Sequence, residues 1–267
     1  MLHRPDTLAR FAPVAALVLS GLGTTAAHAG PLPLTHNGFA AGSVNVLVGA
    51  THSGTTVGAA AGAFSVTWGG ATFFTYCVEL TQFAAMNQTH PYTLVNGATY
   101  FATNYAPALT SSAATVMDRL GRLFTALDGI PLPVGGTLGA WNYTAAQASA
   151  AVQLAVWEIV YEAEVAGGGS FAGLSLSSGV FREKTEGSTP TQTTAYDNLR
   201  LLANDFLVRA AAVTDIRFDV GVLTNGAKQD YLLVTERPPR NDVPLPGTLA
   251  LAGLGLAGLA TVRRRRA

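Results

Sequence analysis

Ala145-Ala-Gln-Ala-Ser-Ala-Ala-Val-Gln153-Leu-Ala-Val-Trp157-Glu-Ile-Val-Tyr161-Glu-Ala-Glu164 is the longest helix-like run in the chain, and the rest of the sequence is read outward from it. Thr144 stands where an N-cap is needed, and the glycines at 167–169 supply a stop after Glu164. Val152, Ala155, Val156 and Ile159 cover one side, and Trp157, Val160 and Tyr161 continue a stripe from Gln153 at helical steps. A helix apolar on most sides is a buried one, so Glu158, Glu162 and Glu164 read as its solvated strip. Gln153 is then the odd residue, because a buried primary amide without partners costs a few kcal/mol. Either the backbone satisfies it, or it faces a short solvated strip, or its chemistry is used.

Upstream, residues 43–48 and 63–68 alternate, and residues 73–78 (Phe-Phe-Thr-Tyr-Cys-Val) are aromatic and β-branched. Three strands are predicted there, with Gly49, Gly54, Gly58, Gly62, Gly69 and Gly70 as turns between them. Strand alternation puts Phe73, Thr75, Cys77 and Glu79 on one face and Phe74, Tyr76, Val78 and Leu80 on the other. A short strand is predicted at 92–95. Helical spacing follows at 98–105 and 111–127, with Ser111 or Ser112 as cap. Residues 128–136 read as a loop and 171–194 as a long loop with a short excursion or a mobile lid. Helical spacing returns at 195–212, and two strands, 215–223 and 229–234, flank a turn at 224–227 that carries the Asn225-Gly226 hairpin signal. The order is β, helical, β. It predicts an α+β fold: a β-barrel or sandwich-like domain with a helical insertion.

Both ends read as addresses. His3, Arg4 and Arg10, an apolar stretch at 11–27 and Ala27-His28-Ala29 make residues 1–29 a signal peptide. Residues 237–244 are a proline-rich linker. Residues 245–262 are uncharged, and at ~1.5 Å per residue they reach across a thin bilayer, so a transmembrane helix is expected there. Arg263, Arg264, Arg265 and Arg266 behind it favour a cytoplasmic C-terminus. Pro244 and Pro246, the glycine-leucine-alanine segment and the arginines resemble the C-terminal sorting signal of PEP-CTERM proteins of Gram-negative bacteria, with Leu245 where a glutamate is usual. That resemblance implies an exosortase-type processing enzyme as partner. It also implies a tether at the inner membrane during sorting, then the cell surface or extracellular matrix. The division is 1–29 signal peptide, 30–236 core, 237–244 linker and 245–267 sorting signal.

The whole chain balances 16 basic against 16 acidic residues, but residues 30–242 hold 10 and 15. An acidic core without a basic cluster argues against nucleic acid. The single cysteine, Cys77, cannot form an intramolecular disulfide. In an exported chain it is a buried structural residue, an intermolecular partner, or a reactive thiol. No tight His/Cys/Asp cluster points to a metal, and no cofactor is expected. His36, His52 and His90 are the histidines of the core, and His90 is the nearest in sequence to serve a Cys–His hydrolase.

Residues 71–80, with Cys77-Val78-Glu79, and residues 151–158, with Gln153-Leu154-Ala155-Val156-Trp157, resemble the two halves of the bacterial thioester domain of surface adhesins. Val152 departs from the frequent Thr before the glutamine, and Glu79 from the commoner Asp or Asn. The resemblance implies an internal thioester between Cys77 and Gln153, shielded by a pocket of Tyr76, Val156 and Trp157. Such a bond serves covalent attachment to an amine-bearing protein or matrix partner, and it is a single-use anchor rather than an enzyme. The competing expectation is a non-covalent structural component of the envelope or matrix, with Cys77 inert.

Overall fold

A computed structural model describes residues 30–50, 56–104, 111–130, 134–162, 169–187 and 189–238. The signal peptide, the transmembrane segment, Pro244, Pro246 and Arg263–Arg266 lie outside the described residues, as do His52, Gly54 and Glu164. Among the described residues no helix is long and apolar enough to cross a membrane.

The chain enters through β1 (Leu32–Phe39), β2 (Val44–Ala50), β3 (Thr56–Ala61), β4 (Phe64–Trp68), β5 (Ala71–Thr75) and β6 (Thr89–Asn96). Helices α1 (Gly97–Asn104) and α2 (Ala113–Ala126), the hairpin β7 (Gly136–Leu138) and β8 (Trp141–Tyr143), α3 (Ala145–Tyr161), β9 (Phe181–Glu183) and α4 (Pro190–Ala211) follow. The chain then returns to strand through β10 (Phe218–Asn225) and β11 (Lys228–Glu236). Six strands form one sheet in the order β11-β10-β6-β1-β4-β5, every neighbouring pair antiparallel. Its two outer strands then meet. Just past β5, Cys77 pairs with Tyr231 of β11, Leu232 N–H donates to the Tyr76 carbonyl at 3.1 Å, and Val78 N–H donates to the Asp230 carbonyl at 3.1 Å. The sheet is therefore a nearly closed antiparallel barrel, with the helical segment inserted between β6 and β10 in the chain. A smaller sheet, β3-β2-β9, lies against α3.

Local sequence explains most elements. Gly69 and Gly70 both take positive φ, 58° and 83°, as the two-residue turn between Trp68 and Ala71 requires. Ser112 caps α2. Thr144 and Gln147 form a reciprocal capping box at the start of α3, and Thr189 caps α4 ahead of Pro190.

Several expectations are corrected. Gly49 and Gly58 are not turns but lie inside β2 and β3, with Gly58 opposite Leu47. The strand β1 escapes the sequence pattern because Pro33 interrupts it. Pro33 faces Pro91 before the ladder to β4 begins at Leu34, so its missing N–H is tolerated there. The stretch at 171–194 is more than a loop with a short excursion: besides β9 it contains the first turn of α4, and its backbone is pinned to α4 and to the C-terminal end of α3. The β10–β11 turn spans only Gly226-Ala227, between the pair Asn225 and Lys228. Helix α3 ends at Tyr161, capped by Glu162 in an extended conformation, ahead of the glycine run.

The largest correction concerns the charged side of α3. Glu158 is 0 % exposed and Glu162 4 %, so neither is solvated. Glu158 Oε1 accepts the Ser175 N–H at 2.6 Å, and Glu162 Oε2 accepts the N–H groups of Val180 at 2.7 Å and Phe181 at 3.0 Å. The segment after α3 folds back as a strap whose backbone donors need acceptors, and these carboxylates supply them. Arg119, fully buried on α2, donates to the Ser170 carbonyl and to Ser111 Oγ. Burial pushes the Glu158 carboxyl up to about 9, the Ser175 N–H and Arg119 opposing and Glu162 adding to the rise.

The candidate Cys77–Gln153 site

Where β5 passes into residues 76–78, the chain changes partner. Thr75 still faces Phe64, the first residue of β4, whereas Tyr76 and Val78 hydrogen-bond to β11. In this antiparallel arrangement Cys77 and Tyr231 are the pair that exchanges no hydrogen bonds, so the N–H and C=O of Cys77 point away from β11. On that side β4 has already ended. A buried strand position thus presents a donor and an acceptor with no strand to meet them, which folding does not tolerate unsatisfied.

Helix α3 fills the gap with a side chain. Cys77 N–H donates to Gln153 Oε1 at 2.9 Å, and Gln153 Nε2 donates to the Cys77 carbonyl at 2.9 Å. The glutamine amide takes the place of a peptide unit of the absent strand. Gln153 is 0 % exposed and Cys77 6 %. The same ridge of α3, at steps of four residues, follows the chain in both directions. One turn earlier, Ser149 Oγ accepts the Ala63 N–H and bonds the Tyr76 hydroxyl. Two turns later, the Tyr161 hydroxyl accepts the Leu80 N–H at 3.1 Å. Trp157 lies between them in this row, buried, and its Nε1 makes no hydrogen bond among the described residues. Sequence pattern placed Tyr161 on the stripe of Gln153 without a role for its hydroxyl, and did not single out Ser149. Their signal was the four-residue spacing, legible only once the strand they serve is known.

Tyr76, Val156 and Trp157 are buried in the same apolar core as Cys77. Both faces of the strand are covered at this point: Thr75, Tyr76, Cys77 and Val78 are all buried. Burial pushes the Cys77 thiol well up, and the charge of Glu79 adds to the shift. Glu79 is half-buried and raised to about 7, by burial first and by Asp230 second. Its Oε1 accepts the Asp230 N–H at 3.3 Å. Asp230 is itself raised by burial, although Tyr100 Oη donates to it at 2.7 Å and Asn225 N–H at 2.8 Å. His90 bonds Gln88 Oε1 at 3.0 Å and stands opposite Leu34, not at Cys77. His36 is buried with its ring 4.7 Å from that of Phe64 and 5.8 Å from that of Tyr231, and burial lowers its pKa. Among the described residues no three His, Cys, Asp or Glu side chains gather as a metal site.

The tail carries its own identification. Residues 242–266 match the PEP-CTERM protein-sorting motif. The chain is thus an exported protein sorted by an exosortase system, membrane-associated during sorting, with an exosortase as the partner that recognises its tail. The match takes in Pro244, Pro246 and the four arginines and tolerates Leu245. No curated protein and no solved structure matches the chain. The thioester-domain resemblance therefore rests on residues 71–80 and 151–158 alone.

Proposed function

We propose that the core of this exported protein forms an internal thioester between Cys77 and Gln153 and uses it to attach covalently to an amine-bearing partner at the cell surface or in the extracellular matrix. The observation that carries this reading is the paired hydrogen bonding of the Gln153 amide to both backbone groups of Cys77. It holds the amide carbon opposite the Cys77 Cα, one Cβ from the sulfur. The Cβ leaves a strand out of the plane of its N–H and C=O, and a nucleophile approaches an amide carbon from outside the amide plane. In forming the thioester the Sγ–Cδ bond is made, the Cδ–Nε2 bond breaks, and the thiol proton departs with the nitrogen as ammonia. The Cys77 N–H, already on Oε1, is placed to stabilise the negative charge that develops there. The surrounding apolar core keeps water from the acyl bond.

A second reading is favoured by the same burial. Cys77 is held deep in the core with its thiol shifted away from the reactive thiolate, and Gln153 satisfies a strand edge in any case. Under this reading the protein is a non-covalent structural component of the envelope or matrix. Intact mass of the purified protein separates the two. A thioester leaves the chain one ammonia lighter, and methylamine restores mass by one amine at Gln153 while freeing one thiol. A chain of full mass whose Cys77 titrates as a free thiol after unfolding sinks the covalent reading.

A further inference from the structure

We infer that Glu79 is the proton carrier of the Cys77–Gln153 site: it takes a proton from the nitrogen of the incoming amine and delivers it to the departing Cys77 sulfur. This rests on the thioester reading above. In the attachment step a nitrogen–Cδ bond forms and the Sγ–Cδ bond breaks. One proton must leave the nitrogen and one must reach the sulfur. Cys77 is buried, at 6 % exposure, so a carboxyl on its own strand offers the sulfur a nearby route for that proton.

Glu79 is the carboxyl nearest to Cys77 along its own strand. Glu79 follows Cys77 by two residues on an extended chain, which directs both side chains to one face. Its carboxylate is anchored rather than free: Oε1 accepts from Asp230 N–H, Oε2 from Thr81 Oγ1 at 3.4 Å, and the Glu79 carbonyl accepts from Gln229 Nε2 at 2.9 Å. Asp230 precedes Tyr231, the residue paired with Cys77, so this anchor lies on the strand that flanks the sulfur. Glu79 is also half-exposed, which gives it a route to solvent.

The other titratable groups around it differ in how far they are engaged: His36 Nε2 and Tyr231 Oη have no hydrogen-bond partner among the described residues, whereas Asp230 is saturated. Asp230 uses both oxygens on Tyr100 and Asn225. Tyr92 of β6 donates to the Gln229 carbonyl at 2.9 Å, and it and Tyr231 are held protonated by burial. His36 accepts the Gly38 N–H on Nδ1 and is pushed towards the neutral form. The charges that act here are those of the carboxyls, Asp230 on Glu79 and Glu79 on Cys77, an acidic pair that favours the approach of an ammonium ion. The substrate class is a primary amine that arrives as its ammonium: one proton is lost to solvent before attack, and the second, released from nitrogen as the amide forms, is the one Glu79 passes to the sulfur. A carboxyl titrating near neutrality is matched to taking and returning a proton at physiological pH.

The test follows methylamine uptake by intact mass across the neutral range, on wild type, Glu79→Gln and Glu79→Asp. Wild type is expected to show an inflection near pH 7, Glu79→Gln to react about 100-fold more slowly with the inflection lost, and Glu79→Asp to recover part of the rate with a displaced inflection. An unchanged rate and pH profile in Glu79→Gln, with its ammonia deficit intact, overturns the proton-carrier role and leaves the thioester standing. A wild type of full mass overturns both. Should Glu79→Gln fail to fold, an Asp variant with the wild-type profile overturns the role by itself.

Discussion

Gln153 of α3 and Cys77 of the barrel-closing strand exchange two hydrogen bonds of 2.9 Å through the side-chain amide of one and the backbone of the other. The helix is thereby fastened to the one place where the sheet changes partner. Either consequence, structural or chemical, depends on the same two contacts.

Removing the amide should expose its structural part. Gln153→Ala leaves a buried N–H and a buried C=O unpaired and opens a small cavity, so a loss of about 2–4 kcal/mol is expected in urea unfolding. Gln153→Glu keeps an acceptor for the Cys77 N–H but faces the Cys77 carbonyl with a carboxyl. Its stability should fall as pH rises and the buried group is forced to ionise.

Cys77→Ala keeps the backbone that Gln153 binds. Its stability should drop by only about 1 kcal/mol, while any ammonia deficit and methylamine uptake disappear altogether. A stability loss as large as that of Gln153→Ala would show that the sulfur itself, and not the backbone edge, organises the contact.

Glu158 makes a pH prediction with a definite sign. Its folded value of about 9 lies above the ordinary value of 4.5, so between these limits the folded state holds a proton that the unfolded state has released. The contribution is most favourable below pH 4.5 and is lost as pH rises towards 9, with a limiting slope of about 1.4 kcal/mol per pH unit. Glu158→Gln mimics the neutral acid and should flatten this dependence. At pH 8 the variant should unfold at higher urea than wild type, by roughly 1–3 kcal/mol once relaxation around the site is allowed for.

Gly179 packs against the buried Glu162 carboxylate. It has φ of +99°, and a Cβ there would sit 2.2 Å from Glu162 Oε2. Gly179→Ala is expected to cost about 2 kcal/mol or more and to speed proteolysis within 170–183 relative to the rest of the chain. Unchanged cutting there would show that the strap is not held by Glu162.

Tyr161→Phe removes the acceptor for the Leu80 N–H two turns beyond Gln153. A loss of about 1 kcal/mol is expected. Amide exchange should rise at Leu80 ahead of the neighbouring core amides.

Much of this protein was legible one segment at a time. The caps at Ser112 and Thr144, the Gly69-Gly70 turn and the amphipathic spacing of α2 act within a few residues, so the chain announces them locally. The sorting tail is likewise contiguous and is identified by order alone. Gln153 stood out because a lone amide in an apolar helix demands a partner. What sequence order does not carry is who meets whom across the fold. The strand at Pro33 and the buried state of Glu158 and Glu162 are decided by neighbours more than ten residues away. The edge of Cys77 is open only because β4 ends at Phe64 while β11 takes the opposite side. The sequence by itself determined that Gln153 needs a hydrogen-bonding partner. Only the tertiary structure decided that the partner is the backbone of Cys77, because a strand edge exists only where two distant strands fail to meet.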